Sequence, residues 1–362
     1  MSVADLVRAM EEIAPTRFAA AWDNVGLLVG DPQGNLAGVL LTIDCTRAVL
    51  DEAMHGGFGA IVSYHPPIFE GQKTFVAGSI GYEAARARIA IHSPHTALDA
   101  AAGGTNDVLA DALAMKDRTP LRAIEAIDEE YKLVTFVPRE HADAVARAAF
   151  AAGAGRIGKY SSCSFRASGT GTFFGEARTN PAIGEAGRLE EAPELRFETV
   201  VPIVHADAVV RALRASHPYE EPAFDLVRLA GGTHGRGFGR VGQVPRTTVG
   251  ALIEDLKRSL GVTRVLVAGG LDREVTRAAV CAGSGSDLIP DAIATGAHVL
   301  LTGEIRHHDA LRAVASGMGV VCTLHSASER VALESLRTRL AERLPGIEIE
   351  LSKEDCEPLA FA

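Results

Sequence analysis

Two side chains in the last third of the chain have the residue types and the spacing of a metal-ligand pair. His325 follows a predicted strand at 319–324, and Glu329 lies four residues further on, in the first turn of a predicted helix. One imidazole and one carboxylate directed at the same point suit zinc, manganese or iron. The alternative is local: Ser326-x-x-Glu329 also has the form of a capping box, in which Glu329 would only cap the helix.

Three further candidate ligands follow predicted strands in the first third. His65 comes directly after a strand at 58–63, and the two prolines behind it stiffen the backbone, which suits a preorganised ligand. His95 and Asp99 share a loop after a strand at 89–93, where Asp99 could ligate and His95 could orient it. The structural alternatives are a histidine that only terminates a strand and an Asp99 that bonds its own backbone in a turn.

Adjacent histidines open another predicted helix. His307, His308 and Asp309 begin it, and helix starts attract anions, although a solvated helix start is the alternative. Because imidazole titrates near neutral pH, we assign proton transfer to His308 or His95. A serine or cysteine nucleophile has no support, since the sequence lacks a GxSxG motif and no cysteine lies in a histidine-rich motif.

Alternating strands and helices must position these side chains. The pattern in the first and last thirds predicts an α/β fold, with a mostly parallel sheet in a three-layer domain. In such sheets the loops at the carboxyl ends of the strands build the site, and the candidate ligands lie just past those ends. Because the alternation stops in the middle and then resumes, we predict one discontinuous domain of residues 1–124 and 233–362.

The middle of the chain contains a repeat. PREHADAVARA, from Pro138, and PIVHADAVVRA, from Pro202, share eight residues at the same offsets, 64 residues apart. Each copy follows a β-rich run, so the repeated unit is a strand followed by a helix. With the β-like runs after each helix the order becomes βαββαβ, which is typical of a ferredoxin-like module. We place this inserted module at residues 125–232.

Composition argues against several classes of protein. The 362 residues carry 46 acidic and 36 basic side chains, a net charge of -10, with no basic run, which argues against nucleic acid as a partner. Aromatic residues make up only 5%, too few for a base-stacking surface. No apolar stretch approaches the length of a membrane span. Five widely separated cysteines and a first segment without the signal-peptide layout predict a cytoplasmic protein.

Six separated motifs together resemble one known family, the GTP cyclohydrolase 1 type 2 homologues, also called NIF-three-like proteins. The motifs are WDNVGLLVGDP, SYHPPIF, HTALDAAAGGTNDVLA, CAGSGSDLI, LLTGEIRHHDA and LHSASE. They follow one another in the family's order across nearly the whole chain. Family members with a mid-chain insertion carry a PII- or CutA-like module, and GKYSSCSF and HPYEEPAFD look like the motifs of that module.

The resemblance implies a centre of one or two divalent metal ions at the C-terminal edge of the sheet. It carries the ligand role to His65, Asp99, His325 and Glu329, while Tyr64 stands where many bacterial members have a first histidine. The metal stays open among zinc, iron, manganese and nickel, because nitrogen and oxygen ligands suit each of them. Tyr64 could ligate as a phenolate, but its unperturbed pKa of about 10 makes that costly, which leaves the second ion open.

The resemblance also implies metal-assisted hydrolysis of a small molecule, a purine nucleotide according to the family name, by a homohexamer. The alternative is a metal-handling or regulatory oligomer without turnover, because PII-like modules commonly bind ligands at subunit clefts. Turnover that is lost on replacing Asp99 would favour the enzyme. Tight metal binding without turnover would favour the alternative.

Overall fold

The computed structural model describes residues 1–124, 130–179, 181–229 and 235–359. The chain divides into two units, one formed by Met1–Ile124 with Thr233–Ala362 and the other by Glu125–Gly232. Both units have mixed α/β structure. Within the described ranges, none of the helices combines the length and apolar character that crossing a membrane requires.

Eleven α-helices and seventeen β-strands occur in the described residues. The helices are α1 (Val3–Ile13), α2 (Arg47–Gly56), α3 (Ile80–Ala87), α4 (His95–Ala100), α5 (Thr105–Asp111), α6 (Ala142–Ala151), α7 (Ala206–Ser216), α8 (Val249–Leu260), α9 (Ile289–Ala294), α10 (His307–Ala315) and α11 (His325–Arg343). The strands are β1 (Gly26–Val29), β2 (Gly38–Thr42), β3 (Ala60–Ser63), β4 (Ala90–Ser93), β5 (Lys116–Thr119), β6 (Arg122–Ala123), β7 (Glu130–Pro138), β8 (Phe165–Phe174), β9 (Leu189–Pro202), β10 (Phe224–Arg228), β11 (Gly237–Phe238), β12 (Arg240–Thr248), β13 (Leu266–Ala268), β14 (Glu274–Ser284), β15 (Val299–Glu304), β16 (Gly319–Cys322) and β17 (Glu348–Leu351).

The first sheet of the discontinuous unit has the strand order β1-β4-β3-β2-β17. All of its strand pairs are parallel except β1 with β4. Every residue of β2 and β3 is buried, because successive side chains point to opposite faces and both faces are covered. Val39 and Leu41 pack in one apolar cluster with residues of α1 and α11, whereas Leu40 and Ile61 pack in another with residues of α2.

The second sheet of this unit differs from the single, mostly parallel sheet that the sequence predicts. Its order is β13-β16-β15-β14-β12-β5, and only the two pairs among β14, β15 and β16 are parallel. Strands β13, β12 and β5 pair with their neighbours in antiparallel fashion. Alternation of strands and helices misleads here because the chain reverses between β13 and β14 without an intervening helix.

The second unit contains β7, α6, β8, β9, α7 and β10 in that order. Its four strands form one antiparallel sheet in the order β10-β7-β9-β8. The repeated helices pack on this sheet through Val145 of α6 and Val209 of α7, together with Leu133 and Phe197 of the strands. The β-like runs that the sequence predicts after the first helix of the repeat, near 162–165 and 170–175, fall in or beside the single strand β8, and β8 pairs with β9 along its whole length.

Candidate metal centre

The candidate ligands come together where parallel strands of both sheets end near the first turn of α11. Tyr64 and His65 directly follow β3, and the His65 amide donates to the Ile43 carbonyl at 2.9 Å, which extends the parallel pairing of β3 with β2. His325 is the first residue of α11. Glu329 lies one turn later on the same side of that helix, since residues four apart are neighbours on a helix surface.

His65, His325 and Glu329 form a three-residue cluster whose potential ligand atoms all lie within 4.8 Å of one another. His65 Nε2 is 3.2 Å from Glu329 Oε2, and His325 Nε2 is 3.2 Å from Glu329 Oε1. The Glu329 side chain is only 3% exposed, whereas the two imidazoles are partly open to solvent. The carboxylate is therefore held between two imidazoles that both face it through Nε2, an arrangement that could hold a metal ion.

Two local features show that this cluster fits a cation. Glu329 Oε2 is buried and has no aligned hydrogen bond from any of the residues described, although His65 Nε2 is close. Buried carboxylate oxygens are normally satisfied, so an unmet acceptor at this point suits a metal ligand. Gly283 leaves the space beside the cluster open: a Cβ on this residue would lie 2.6 Å from Glu329 Oε1 and 3.3 Å from His325 Nε2.

The capping-box alternative for Glu329 is wrong. Helix α11 begins at His325, two residues earlier than a cap at Ser326 requires, and its N-cap residue Leu324 makes no side-chain cap. Ser326 donates instead to Glu357 Oε2 at 2.5 Å, and Ser328 donates to the His325 carbonyl at 2.7 Å. Ser326 is thus engaged by a residue 31 positions further along the chain, and the Glu329 carboxylate lies between the two histidines.

The charges in the cluster stabilise one another. Burial lowers the pKa of His65, but the carboxylates of Asp44 and Glu329 outweigh it and raise that pKa to about 10. The Glu329 carboxylate likewise raises the pKa of His325 to about 9 against the effect of burial. In return the two imidazoles lower the pKa of Glu329, although burial opposes this.

Two further carboxylates, those of Asp44 and Glu304, lie on the Nδ1 side of the imidazoles, and the sequence analysis did not predict either of them. Asp44 Oδ1 is 2.9 Å from His65 Nδ1. Glu304 Oε1 is 3.1 Å from His325 Nδ1. A signal for them existed, because Asp44 and Glu304 lie at or just past the carboxyl ends of β2 and β15, where parallel sheets build their sites.

Tyr64 and Asp99 lie beside the cluster and bind each other. The Tyr64 hydroxyl donates a hydrogen bond to Asp99 Oδ1 and is 3.0 Å from the Thr105 hydroxyl. Burial, together with the nearby Asp99 charge, raises the pKa of Tyr64 well above its usual value, so the phenol keeps its proton. Burial, together with the Glu329 charge, raises the pKa of Asp99 to about 6. The two predicted ligands Tyr64 and Asp99 thus lie beside the cluster, and the Tyr64 hydroxyl is hydrogen-bonded to the Asp99 carboxylate.

His95 lies at the same edge and has a different partner from the one expected. Its ring centroid is 5.3 Å from that of His65, but its Nδ1 is 2.8 Å from Asp23 Oδ1 and not on Asp99. Asp23 also accepts from the Thr96 amide at 3.1 Å and from the Thr96 hydroxyl. His95 therefore does not orient Asp99; it is itself oriented by Asp23, which lies in the motif WDNVGLLVGDP.

The other predicted proton carrier lies elsewhere. His308 is exposed in the first turn of α10, where its ring contacts that of His307 at 5.4 Å. In the described part of the chain, no hydrogen bond or ring contact joins it to the three-residue cluster.

Comparison with known proteins places these features in a family. A sequence model of the Duf34/NIF3 (NGG1p interacting factor 3) family matches residues 1–358. A "GTP cyclohydrolase 1 type 2 homolog" of Halalkalibacterium halodurans is 35% identical over 98% of both chains, and one of Mycobacterium tuberculosis is 36% identical over 95% of this chain and 93% of its own. A crystal structure of a Bacillus cereus protein related to NIF3 superposes with a TM-score of 0.84 at 33% identity, over 100% of this chain and 99% of that one.

Proposed function

The chain belongs to the Duf34/NIF3 family, and we propose that it binds a divalent metal ion and uses it to hydrolyse a small molecule. The observation that carries the proposal is the convergence of His65, His325 and Glu329 within 4.8 Å. Two imidazoles and one carboxylate that leave further positions open are typical of catalytic zinc and of non-haem iron. The same donors also accept manganese and nickel.

The three residues of the cluster would each supply ligand atoms to the metal ion. His65 and His325 would each supply Nε2, and Glu329 would supply its oxygens. When bound, the ion would lower the pKa of a coordinated water and polarise the bond to be cleaved. Asp99 completes the proposed ligand set. Tyr64 stands where a second ion would bind, and it could ligate only after it gives up the hydrogen bond that it donates to Asp99.

Proton transfer falls to His95 in this proposal. The Asp23 carboxylate accepts from Nδ1, which leaves Nε2 as the basic nitrogen of the neutral ring. The His95 ring lies 5.3 Å from that of His65, close enough for an exchange of protons with a group bound at the cluster, directly or through one water. His308 is the second candidate and would have to act from the exposed start of α10.

We further propose a purine nucleotide as substrate, supported by the name that the relatives carry. The second unit is proposed as an inserted ferredoxin-like module, supported by its βαββαβ order and its β10-β7-β9-β8 sheet. A homohexamer is proposed from the family resemblance, and a cytoplasmic location from the five widely separated cysteines.

Elemental analysis and metal titration of the purified chain test the function. The wild type should hold about one ion or more per chain, and His325→Ala should lose it while keeping its fold, because His325 lies at the site and not in an apolar core. His307→Ala is the matched control, since it removes an exposed imidazole outside the cluster. Unchanged metal content in His325→Ala would contradict the proposed centre.

Turnover is measured separately, on GTP and on other purine nucleotides, with the loaded wild type and with Asp99→Asn. Hydrolysis that disappears in Asp99→Asn, with the fold intact, supports the enzyme. Tight metal binding with no turnover of any nucleotide would replace the hydrolase by a metal-handling or regulatory protein.

A further inference from the structure

We propose that Asp44 and Glu304 are positioning residues of the metal centre, each of which holds one imidazole with its Nε2 directed at the position that a metal ion would take beside Glu329. The inference rests on the proposed metal-binding function and names two residues that act on it through His65 and His325.

The two carboxylates occupy mirrored positions. Asp44 Oδ1 is 2.9 Å from His65 Nδ1, and the opposite nitrogen of that ring is 3.2 Å from Glu329 Oε2. Glu304 Oε1 is 3.1 Å from His325 Nδ1, and the opposite nitrogen of that ring is 3.2 Å from Glu329 Oε1. Each imidazole therefore bridges an outer carboxylate and one oxygen of the central one.

This geometry selects the tautomer that a metal needs. A neutral imidazole carries one hydrogen, on Nδ1 or on Nε2, and an ionised carboxylate can only accept. With Asp44 and Glu304 on the Nδ1 side, the hydrogen is held there and Nε2 keeps its lone pair. Carboxylates that bind the outer nitrogen of a metal-ligating histidine orient the ring and increase its basicity, and their loss typically costs about 10–100-fold in metal affinity.

Strand register explains why each histidine meets a carboxylate. In the first sheet Thr42 pairs with Ser63 across β2 and β3, so Asp44 and His65, each two residues further on, lie side by side. In the second sheet Thr302 pairs with Cys322 across β15 and β16, and the same neighbouring strands end at Glu304 and lead into His325. Two separate parallel strand pairs thus build the same imidazole–carboxylate unit.

The two units differ in their exposure to water. Asp44 is 43% exposed and its imidazole 22%, whereas Glu304 is 56% exposed and its imidazole 38%. Water screens the more exposed Glu304–His325 pair and competes for its hydrogen bond. Replacing Asp44 should therefore reduce metal affinity more than replacing Glu304 does.

The experiment compares Asp44→Asn and Glu304→Gln with the wild type by competitive Zn²⁺ titration. An amide can donate to Nδ1 and favour the wrong tautomer, so Asp44→Asn should weaken Zn²⁺ binding by about 10–100-fold, and Glu304→Gln by less. Asp44→Glu keeps a carboxylate and should recover part of the loss. Asp51→Asn, which removes an exposed carboxylate paired with Arg47 on α2, is the matched control and should bind as the wild type does.

Cobalt gives a second readout that a purely structural role would not change. With the protein loaded with Co²⁺, the visible absorption bands should shift in Asp44→Asn and Glu304→Gln but not in Asp51→Asn, because a turned imidazole alters the ligand field. Thermal unfolding of the metal-free variants shows whether the fold is kept. If Asp44→Asn does not fold, Glu304→Gln and the rescue variant Asp44→Glu still decide the question.

The outcomes separate the two proposals. If the wild type binds Zn²⁺ and loses it in His325→Ala, while Asp44→Asn and Glu304→Gln bind within about threefold of the wild type, the positioning role is overturned and the centre stands. If the wild type binds no Zn²⁺, or His325→Ala binds it equally well, the centre itself is overturned and this inference with it.

Discussion

Gly283→Ala should abolish or strongly weaken metal binding by adding a single methyl group. Gly283 has φ +63°, and a Cβ built on it would lie 2.6 Å from Glu329 Oε1 and 3.3 Å from His325 Nε2. The first distance is shorter than real Cβ contacts, so the carboxylate oxygen must move by at least 0.4 Å to bring it to 3.0 Å. Metal–ligand distances tolerate only about 0.2 Å, so the displaced Glu329 would no longer match the two imidazoles.

A second effect of this substitution is unrelated to the metal. A non-glycine residue in the left-handed region costs roughly 1–2 kcal/mol, so Gly283→Ala should also lower the free energy of unfolding. Gly296→Ala isolates this backbone effect, because Gly296 has φ +71° and no described atom lies within 4 Å of the position that its methyl group would take. The control should lose similar stability and keep full metal affinity.

The assay is a Zn²⁺ titration of both variants together with urea unfolding of the metal-free proteins. We expect at least a tenfold loss of Zn²⁺ affinity in Gly283→Ala and no loss in Gly296→Ala. Wild-type affinity in a folded Gly283→Ala would refute the reasoning, since it would mean that the ion does not depend on the observed position of Glu329.

Three other predictions concern single residues. Tyr64→His should raise metal content from about one towards about two ions per chain, because an imidazole ligand replaces the phenol that is hydrogen-bonded to Asp99. Tyr64→Phe should leave the metal content unchanged. Equal metal content in the wild type and Tyr64→His by elemental analysis would contradict the prediction. Burial lowers the pKa of His92 to about 4, so the folded protein keeps this ring neutral, and stability that is intact above pH 6.5 should fall by about 3 kcal/mol as the pH drops towards 4. His92→Leu should reduce this loss in urea unfolding at pH 7 and pH 4, and an unchanged loss would exclude His92 as the cause. Leu324 has φ +79°, a backbone conformation that favours glycine, so the free energy of unfolding of Leu324→Gly should exceed that of Leu324→Ala by about 1 kcal/mol. The difference is measured as a higher urea midpoint for Leu324→Gly, and equal midpoints would show that the backbone stores no strain there.

The family and the mixed α/β class could be predicted from the sequence alone, and the Duf34/NIF3 match confirms the family. Local patterns carry that information: apolar runs such as 38–42 and 60–63 are strands buried on both faces, and the residues after them mark a sheet edge. The same rule placed His65 and His325 among the candidate ligands, because their strands end at the shared edge of parallel sheets.

Strand direction could not be predicted in the second sheet. The reversal between β13 and β14 depends on which strands pair, and pairing is a contact between segments far apart in sequence. The capping role considered for Glu329 failed for a similar reason, since Ser326 is engaged by Glu357, 31 residues away.

By itself the sequence determined which residue types stand at strand ends and on the first turn of α11, because these follow from local periodicity. Only the tertiary structure decided which of them contact one another. The contacting pairs are Asp44 with His65, Glu304 with His325, Asp23 with His95, and the Tyr64 hydroxyl with Asp99. All four pairs join side chains that are 21 to 72 residues apart in the sequence. Their partners are set by strand register and by burial, which no local stretch of sequence contains.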